Sequence, residues 1–540
     1  MKKLFIYLFL IIFSSAFSQD LVIDWDECFG GPNDSSDPEA IEVLLNNSII
    51  LTLPVIGNNE AFTNYHDGVE AWVLVLDSTG NILQEKCFGG SEIDHFLDIE
   101  VFEDHIYLAG YTTSFDGDVQ SEPVGGYVDL WVVKTDYDLN IIWEKRYGSL
   151  GVQQLATAKV TAEGGLVLLM DFFQQGGGDV SQYYGNTDIW VCEIDADGEI
   201  LWEKTLGNAW GNYSKNVMQT EDGKTIVLGE INFAGEMVDC YCHSTDGTYE
   251  IWVVALDNTG EILWQNCYGG TKWEAGFDII AENNGYTFLG QTESTDGDVS
   301  FNNGDFDLWL VHIDSIGNLI WEESYGGSDA DIGRQIYKTE ENGYILLGAT
   351  VSNDGDVNHS NCTQSQVYCQ TNTWVVELDS NRNIIWNKTY GSSTWSSYHT
   401  RNAAKRIGER DFIIAGLIED TDIHSGDVDC EPYPINNGKS AWIYRLHSPD
   451  TGTFIHNLAV KELRVYPNPA HNQVTFELPQ IKKENTLQIK DIFGRTIVEL
   501  LLITGQTQLI WDCSEFSNGV YFYQTEIGGE VYRGKIVVQD

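Results

Sequence analysis

Positive charge is scarce in this chain. Lys and Arg total 29 against 82 Asp and Glu in 540 residues, a formal net charge of −53. A surface of that sign repels nucleic acid and anionic lipid and attracts cations; its plainest use is solubility. The deficit is uneven, because from Leu458 onward ten acids nearly balance eight bases, so the excess belongs to the residues before it. Long apolar runs are also lacking, apart from Leu4 to Phe13. Lys2 and Lys3 precede that run and Ala16-Phe17-Ser18 follows it, which marks 1–18 as a secretory signal with Gln19 as the expected mature N-terminus. No later stretch is long and apolar enough for a membrane helix, so no integral membrane segment is expected after cleavage. A phosphate loop, a zinc motif and a Ser-His-Asp context are absent as well.

What is present is a repeat. Asp307 to Gly327 reads DLWLVHIDSIGNLIWEESYGG: an apolar strand with a Trp, an Asp, a short Gly turn, then a second Trp strand ending in Tyr-Gly-Gly. Two β-rich runs split by a few turn residues make a tight hairpin. Related segments start at Glu70, Asp129, Asp188, Glu250 and Thr373, with a degenerate copy from Ala441. The first-strand Trps are Trp72, Trp131, Trp190, Trp252, Trp309, Trp374 and Trp442, spaced 57 to 68 residues apart. A long, regular period is the mark of a repeat architecture. Between hairpins lie two more strands, as in Ile336 to Thr350, so each repeat holds four: A, B, C and D. The sequence therefore predicts an all-β protein with a seven-bladed β-propeller over 19–447.

The last copy lacks its D strand, and IDWDECFGG (Ile23 to Gly31) matches that strand at the other end of the chain. A repeat cut this way fastens a closed ring and removes a sheet edge. Thr453-Phe454-Ile455 is the alternative source, which would leave Trp25 outside. Residues 448–462 read as a linker, and 463–540, with apolar alternation between turn signals, as a small β-sandwich.

Ten cysteines in an exported chain permit disulfides. Cys28, Cys87 and Cys267 share one D-strand position. Equivalent positions on neighbouring blades are far apart, so these are expected to be packed and unbridged. Cys362 and Cys369 share one B–C loop and form the disulfide candidate. Cys240-Tyr-Cys242 with His243 is a weak metal motif, since no His pair stands at ligand spacing.

Long loops over a rigid scaffold are where binding residues concentrate. The A–B and C–D turns are short; the B–C and D–A loops are long and rich in Asp, Gly and Trp. Acidic Gly-Asp-Val turns recur, with Asp116 and Asp118, Asp179, Asp296 and Asp298, Asp354 and Asp356, and Asp427. Carboxylates one residue apart suit calcium, the one cofactor the sequence suggests; a plain Asx-turn, with the carboxylate accepting from the backbone two residues on, is the favoured expectation. Thirteen of seventeen Trps recur in C and D strands and read as packing; Trp511 is C-terminal. Trp210, Trp273 and Trp395 fall in D–A loops. An aromatic there either stacks on a sugar or a protein partner, or folds down on the rim.

Near the C-terminus stand Tyr466-Pro467-Asn468-Pro469, Asp491 with Gly494-Arg495, Gly519-Val520-Tyr521 and Gly534-Lys535-Ile536-Val537-Val538. These resemble the type A C-terminal sorting domain of the type IX secretion system. The resemblance implies passage across the outer membrane, the secretion machinery as partner, and a cell-surface or extracellular destination. The repeats, in turn, resemble a propeller repeat of such exported cargo, which implies fold and no settled activity.

Enzymatic signals are thin. Sialidase-like propellers need an arginine cluster, and only Arg334 and Arg401 lie near the D–A side. The C–D turn resembles quinoprotein repeats with one residue deleted, but no vicinal Cys pair accompanies it. Acid pairs for glycoside hydrolysis could be drawn from many residues, and nothing singles one out. The expectation is a surface or secreted binding protein for a glycan or a surface protein. A polysaccharide-degrading enzyme and a structural coat protein are the alternatives.

Overall fold

The computed structural model describes residues 21–30, 37–56, 62–173, 176–235, 237–243, 247–357, 372–391, 396–397, 403–419, 427–430, 439–448, 463–479, 481, 485–490, 496–514, 516, 519–527 and 530–539. The signal segment, Thr453 to Ile455, Trp395, the Cys362/Cys369 pair, and Asp491, Gly494 and Arg495 fall outside the described residues. Every regular element described is a β-strand. The chain divides into two compact units, Met1–Pro449 and Asp450–Asp540.

The first unit holds six four-stranded antiparallel sheets and one five-stranded sheet. In chain order they cover 40–88, 94–147, 152–206, 213–268, 274–325, 331–390 and, together with 22–29, 396–447. Each is ordered A-B-C-D in space, with neighbouring strands antiparallel; the first six take their strands consecutively from the chain. The C strands are covered on both faces, so they read as unbroken apolar runs: EAWVLVL in Glu70–Leu76 is buried throughout. The C–D turns are locally encoded. Side-chain bonds from Asn81 (3.0 Å) and Thr79 (2.8 Å) to the Asp77 carboxylate, with the amides of the same two residues (3.1 and 2.8 Å), hold its carboxyl down at about 2.

The C-strand Trps are buried between consecutive sheets. Trp131 shares a core with Val73 and Phe88 of the sheet before it, and Trp190 with Leu130 and Tyr147 of its own predecessor. Trp252, Trp309 and Trp374 repeat the relation with Ile189, Ile251 and Leu308. One core joins the sixth, seventh and first sheets through Trp386, Trp442 and Trp72. In the first six sheets the indole N–H donates to the D strand of its own sheet, thirteen residues on, as from Trp131 to Glu144 at 2.9 Å and from Trp309 to Glu322 at 2.8 Å.

The seventh sheet takes its D strand from the N-terminus. Val22–Phe29 pairs antiparallel with Lys439–His447, from Val22 opposite His447 to Phe29 opposite Ala441. Trp25 then does what Trp143, Trp202 and Trp264 do: it lies against the C–D turn glycine of another sheet, here Gly80 of the first. Gly80 has φ +88°, and a Cβ there would stand 3.1 Å from the Trp25 ring, as Gly260 does against Trp202 and Gly317 against Trp264.

Cysteine pairing corrects one expectation. Cys28 bridges Cys430 and Cys267 bridges Cys240, while Cys87 is free and buried. Comparing equivalent positions on different sheets missed the relevant neighbour, which is the B–C loop of the same sheet. Val-Asp-Cys occurs there at Cys240 and Cys430; the first sheet's loop, 56–69, has no cysteine, so Cys87 has no partner.

In the second unit a three-stranded sheet (Arg464–Tyr466, Gln473–Glu477, Gln508–Asp512) and a four-stranded sheet (Asn485–Lys490, Thr496–Leu502, Gly519–Ile527, Glu530–Val538) enclose one core. Phe476, Trp511, Leu487, Tyr523 and Ile536 contribute to it from both sheets.

Candidate functional site

The acidic turns cross from one sheet to the next. The Asp298 amide donates to the Gly269 carbonyl at 2.8 Å, and the Gly269 amide returns a bond to the Asp298 carboxylate at 3.2 Å. Asp298 belongs to the fifth sheet's B–C loop and Gly269 to the end of the fourth sheet's D strand. Asp179 with Gly148, Asp356 with Gly326 and Asp427 with Gly391 repeat both bonds. Asp118 bonds the Gly89 carbonyl and accepts from Asn64 instead. The first Asp of each pair reaches the adjoining D–A loop: Asp116 accepts from the Ser91 amide (2.8 Å), Asp296 from Thr271 (2.8 Å) and Asp354 from Ser328 (2.7 Å). These acceptor contacts replace the expected two-residue Asx-turn. The two positions differ electrostatically. The Thr271 amide and hydroxyl hold the Asp296 carboxyl below its usual value, whereas burial pushes Asp298 up.

Beneath this layer lie acids that the sequence reading passed over. Glu70, Asp94, Glu250, Glu274, Asp307 and Asp331 are fully buried. Glu70, Glu250 and Asp307 each stand two residues before a C-strand Trp, a periodicity that was readable in the sequence. Asp307 and Asp331 flank Gly326, where an added Cβ would lie 2.2 Å from Asp307 Oδ1 and 2.8 Å from Asp331 Oδ2. Burial raises Asp307 to about 7, reinforced by the charges of Asp331 and Asp356, and burial raises Asp331 to about 6. Both carboxyls are sealed from solvent.

Two of the three loop Trps are described, and both are exposed to about half. Trp210 is 53% exposed with its ring 5.2 Å from Phe233; Trp273 is 45% exposed between Tyr249 and Phe306, each 6.2 Å away. Tyr213 continues the row against Tyr249 at 5.5 Å. The two Trps flank the fourth sheet, and one B–C loop of that sheet supplies both Phe233 and Tyr249. Folding down on the rim would have buried these rings; they lean on neighbours and keep one part free. Phe115, Tyr127, Tyr241 and Phe301 are further exposed aromatics in B–C loops. Among the described residues, the one group of three or more His, Cys, Asp or Glu ligand atoms within 4.8 Å is Cys240, Cys242 and Cys267.

In the second unit the Tyr-Pro-Asn-Pro motif is tied to the last strand. Asn468 donates to the Lys535 carbonyl at 2.9 Å and accepts from the Val537 amide at 2.8 Å. Ala470 adds a bond to the Val537 carbonyl at 2.8 Å. Two motifs some seventy residues apart in sequence are thus one structural feature. Residues 464–539 match the model of the secretion system C-terminal sorting domain. This sorting domain assigns the protein to export across the outer membrane, to the cell surface or the extracellular space, and implies contact with the type IX machinery. No helix among the described residues is long and apolar enough to cross a membrane.

Comparisons beyond the sorting domain are weak. No curated protein matches the sequence. A protein of unknown function from Dyadobacter fermentans is 9% identical, covering 80% of this chain and 100% of its own, at a TM-score of 0.38. A puromycin hydrolase is 10% identical over 83% of this chain and 60% of its own, at 0.41. Likeness at that level decides neither the fold nor the chemistry of this chain.

Proposed function

We propose that the protein is an exported binding protein whose first unit is a seven-bladed β-propeller, closed by its N-terminal strand, with a loop face that engages a glycan or a surface protein. The ring is supported by the core that joins the sixth, seventh and first sheets. Charges from distant sheets also converge: Lys159 of the third sheet and Lys405 of the seventh both act on Asp278 of the fifth. A common axis accounts for that convergence.

The observation that carries the binding reading is the half-exposed pair Trp210 and Trp273 on either side of the fourth sheet. Flat aromatic faces with a free side stack on the apolar face of a sugar ring or anchor a protein interface. Glycan-array binding by the mature first unit, alongside Trp210→Ala and Trp273→Ala, tests it. Signal lost in both variants supports the reading, and signal equal to wild type in both removes it. Calcium at the Gly-Asp-Val turns remains a separate proposal; their hydrogen bonds favour a clamping role.

A further inference from the structure

Cys240 and Cys267 form a disulfide, and a third sulfur lies against it. Cys242 Sγ is 3.6 Å from Cys267 Sγ, and all three sulfurs lie within 4.8 Å of one another. The seventh sheet carries the same clamp without the extra thiol: Val428-Asp429-Cys430 corresponds to Val238-Asp239-Cys240, and Cys28 to Cys267. Cys87, Cys192 and Cys513, the other described free thiols, are buried, whereas Cys242 is only half-buried.

We propose that Cys267 is shared by two partners, and that the clamp exchanges between a Cys240–Cys267 and a Cys242–Cys267 bridge. Exchange proceeds by thiolate attack on a disulfide sulfur. The Cys242 thiol gives up its proton and its sulfur bonds to Cys267 Sγ. The Cys240–Cys267 bond breaks, its electron pair goes to Cys240 Sγ, and Cys240 takes up a proton. One bond forms and one breaks with no oxidant or reductant. Burial, together with the charge of Glu250, holds the Cys242 thiol up at about 12. The reaction is therefore a slow equilibration. The His243 ring stands 3.3 Å from the same Glu250 carboxylate. Exchange moves the tether of this loop by two residues, and the loop is the one that sets Phe233 against Trp210 and Tyr249 against Trp273.

The test is disulfide mapping of the intact chain. Protein is held at neutral pH or at about pH 9, where more thiolate is present, then acid-quenched, unfolded, labelled with N-ethylmaleimide and mapped by tandem mass spectrometry. Two isomers are expected, one labelled at Cys242 and one at Cys240, the second growing with time at the higher pH. Label at Cys242 alone under both conditions overturns the proposal. Cys240→Ser gives a second reading: a Cys242–Cys267 bridge supports exchange, and labelled Cys242 and Cys267 together overturn it. Cys242→Ser is expected to give the single Cys240–Cys267 species.

Discussion

The Trp442 indole donates to the Asp26 carboxylate at 2.9 Å, across 416 residues of chain. The other C-strand Trps make this bond to a residue thirteen positions later, so Asp26 stands where Glu144 and Glu322 stand in their own sheets. Asp26 also accepts the amides of Asp429 (2.9 Å) and Cys430 (3.1 Å), which draws the B–C loop onto the borrowed strand beside the Cys28–Cys430 bridge.

Asp26→Ala should therefore cost about 2 kcal/mol, because it leaves the buried Trp442 indole N–H and the Cys430 amide without an acceptor. Deleting 21–31 should cost far more, since it strips a whole strand from the seventh sheet and exposes an edge. Thermal unfolding of the first unit measures both. An unchanged midpoint in the deletion would remove the idea that the N-terminal strand secures the unit.

The buried acids make stability depend on pH in a definite direction. Asp307 titrates at about 7 and Asp331 at about 6 when folded, against ordinary values near 4. The folded state thus keeps protons that the unfolded chain loses. Stability is expected to fall as pH rises from about 4 through about 7, then to level off. Asp307→Asn removes one such group, so its melting temperature should gain on wild type at pH 8 and not at pH 5. A parallel pair of melting curves across that range would exclude this origin.

Calcium and clamping at the Gly-Asp-Val turns give different results under matched ionic strength. A ligand that binds only the folded state stabilises it by mass action, about 2.7 kcal/mol at a hundredfold excess over Kd; sodium chloride only screens. If the turns are clamps alone, both salts shift the midpoint equally, while Asp298→Ala costs about 1–2 kcal/mol by losing the Gly269 amide's acceptor. A larger shift from millimolar calcium, reduced in Asp296→Asn and Asp298→Asn, would assign the turns to calcium.

Asn468 joins two sorting motifs through the Lys535 carbonyl and the Val537 amide. Asn468→Ala should loosen that union and lower surface display in the native host, leaving the first unit folded. Removal of 463–540 should abolish display and hold the first unit in the periplasm. Fractionation with an antibody to the first unit reads both, and wild-type display of the truncated chain would contradict the prediction.

Much of this was written locally. The strands, their order A to D, the tight C–D turns and the sorting motifs depend on residues a few positions apart, and a period of about sixty residues made each one visible repeatedly. Even the borrowed strand could be read, because Trp25 and Phe29-Gly30-Gly31 copy a D strand whose copy is missing elsewhere. By contrast, only the tertiary structure decided what the conserved-looking positions within the repeat touch. A cysteine's partner depends on which loop passes over its strand, so Cys28 and Cys267 are bridged and Cys87 is not. The turn aspartates accept from the preceding sheet, a contact set by how sheets stand side by side and by nothing within the turn. The exposure of Trp210 and Trp273 is likewise a packing outcome: the identity of a Trp and its place in a loop are sequence properties, but the neighbours that cover one side of it come from residues brought there by the fold.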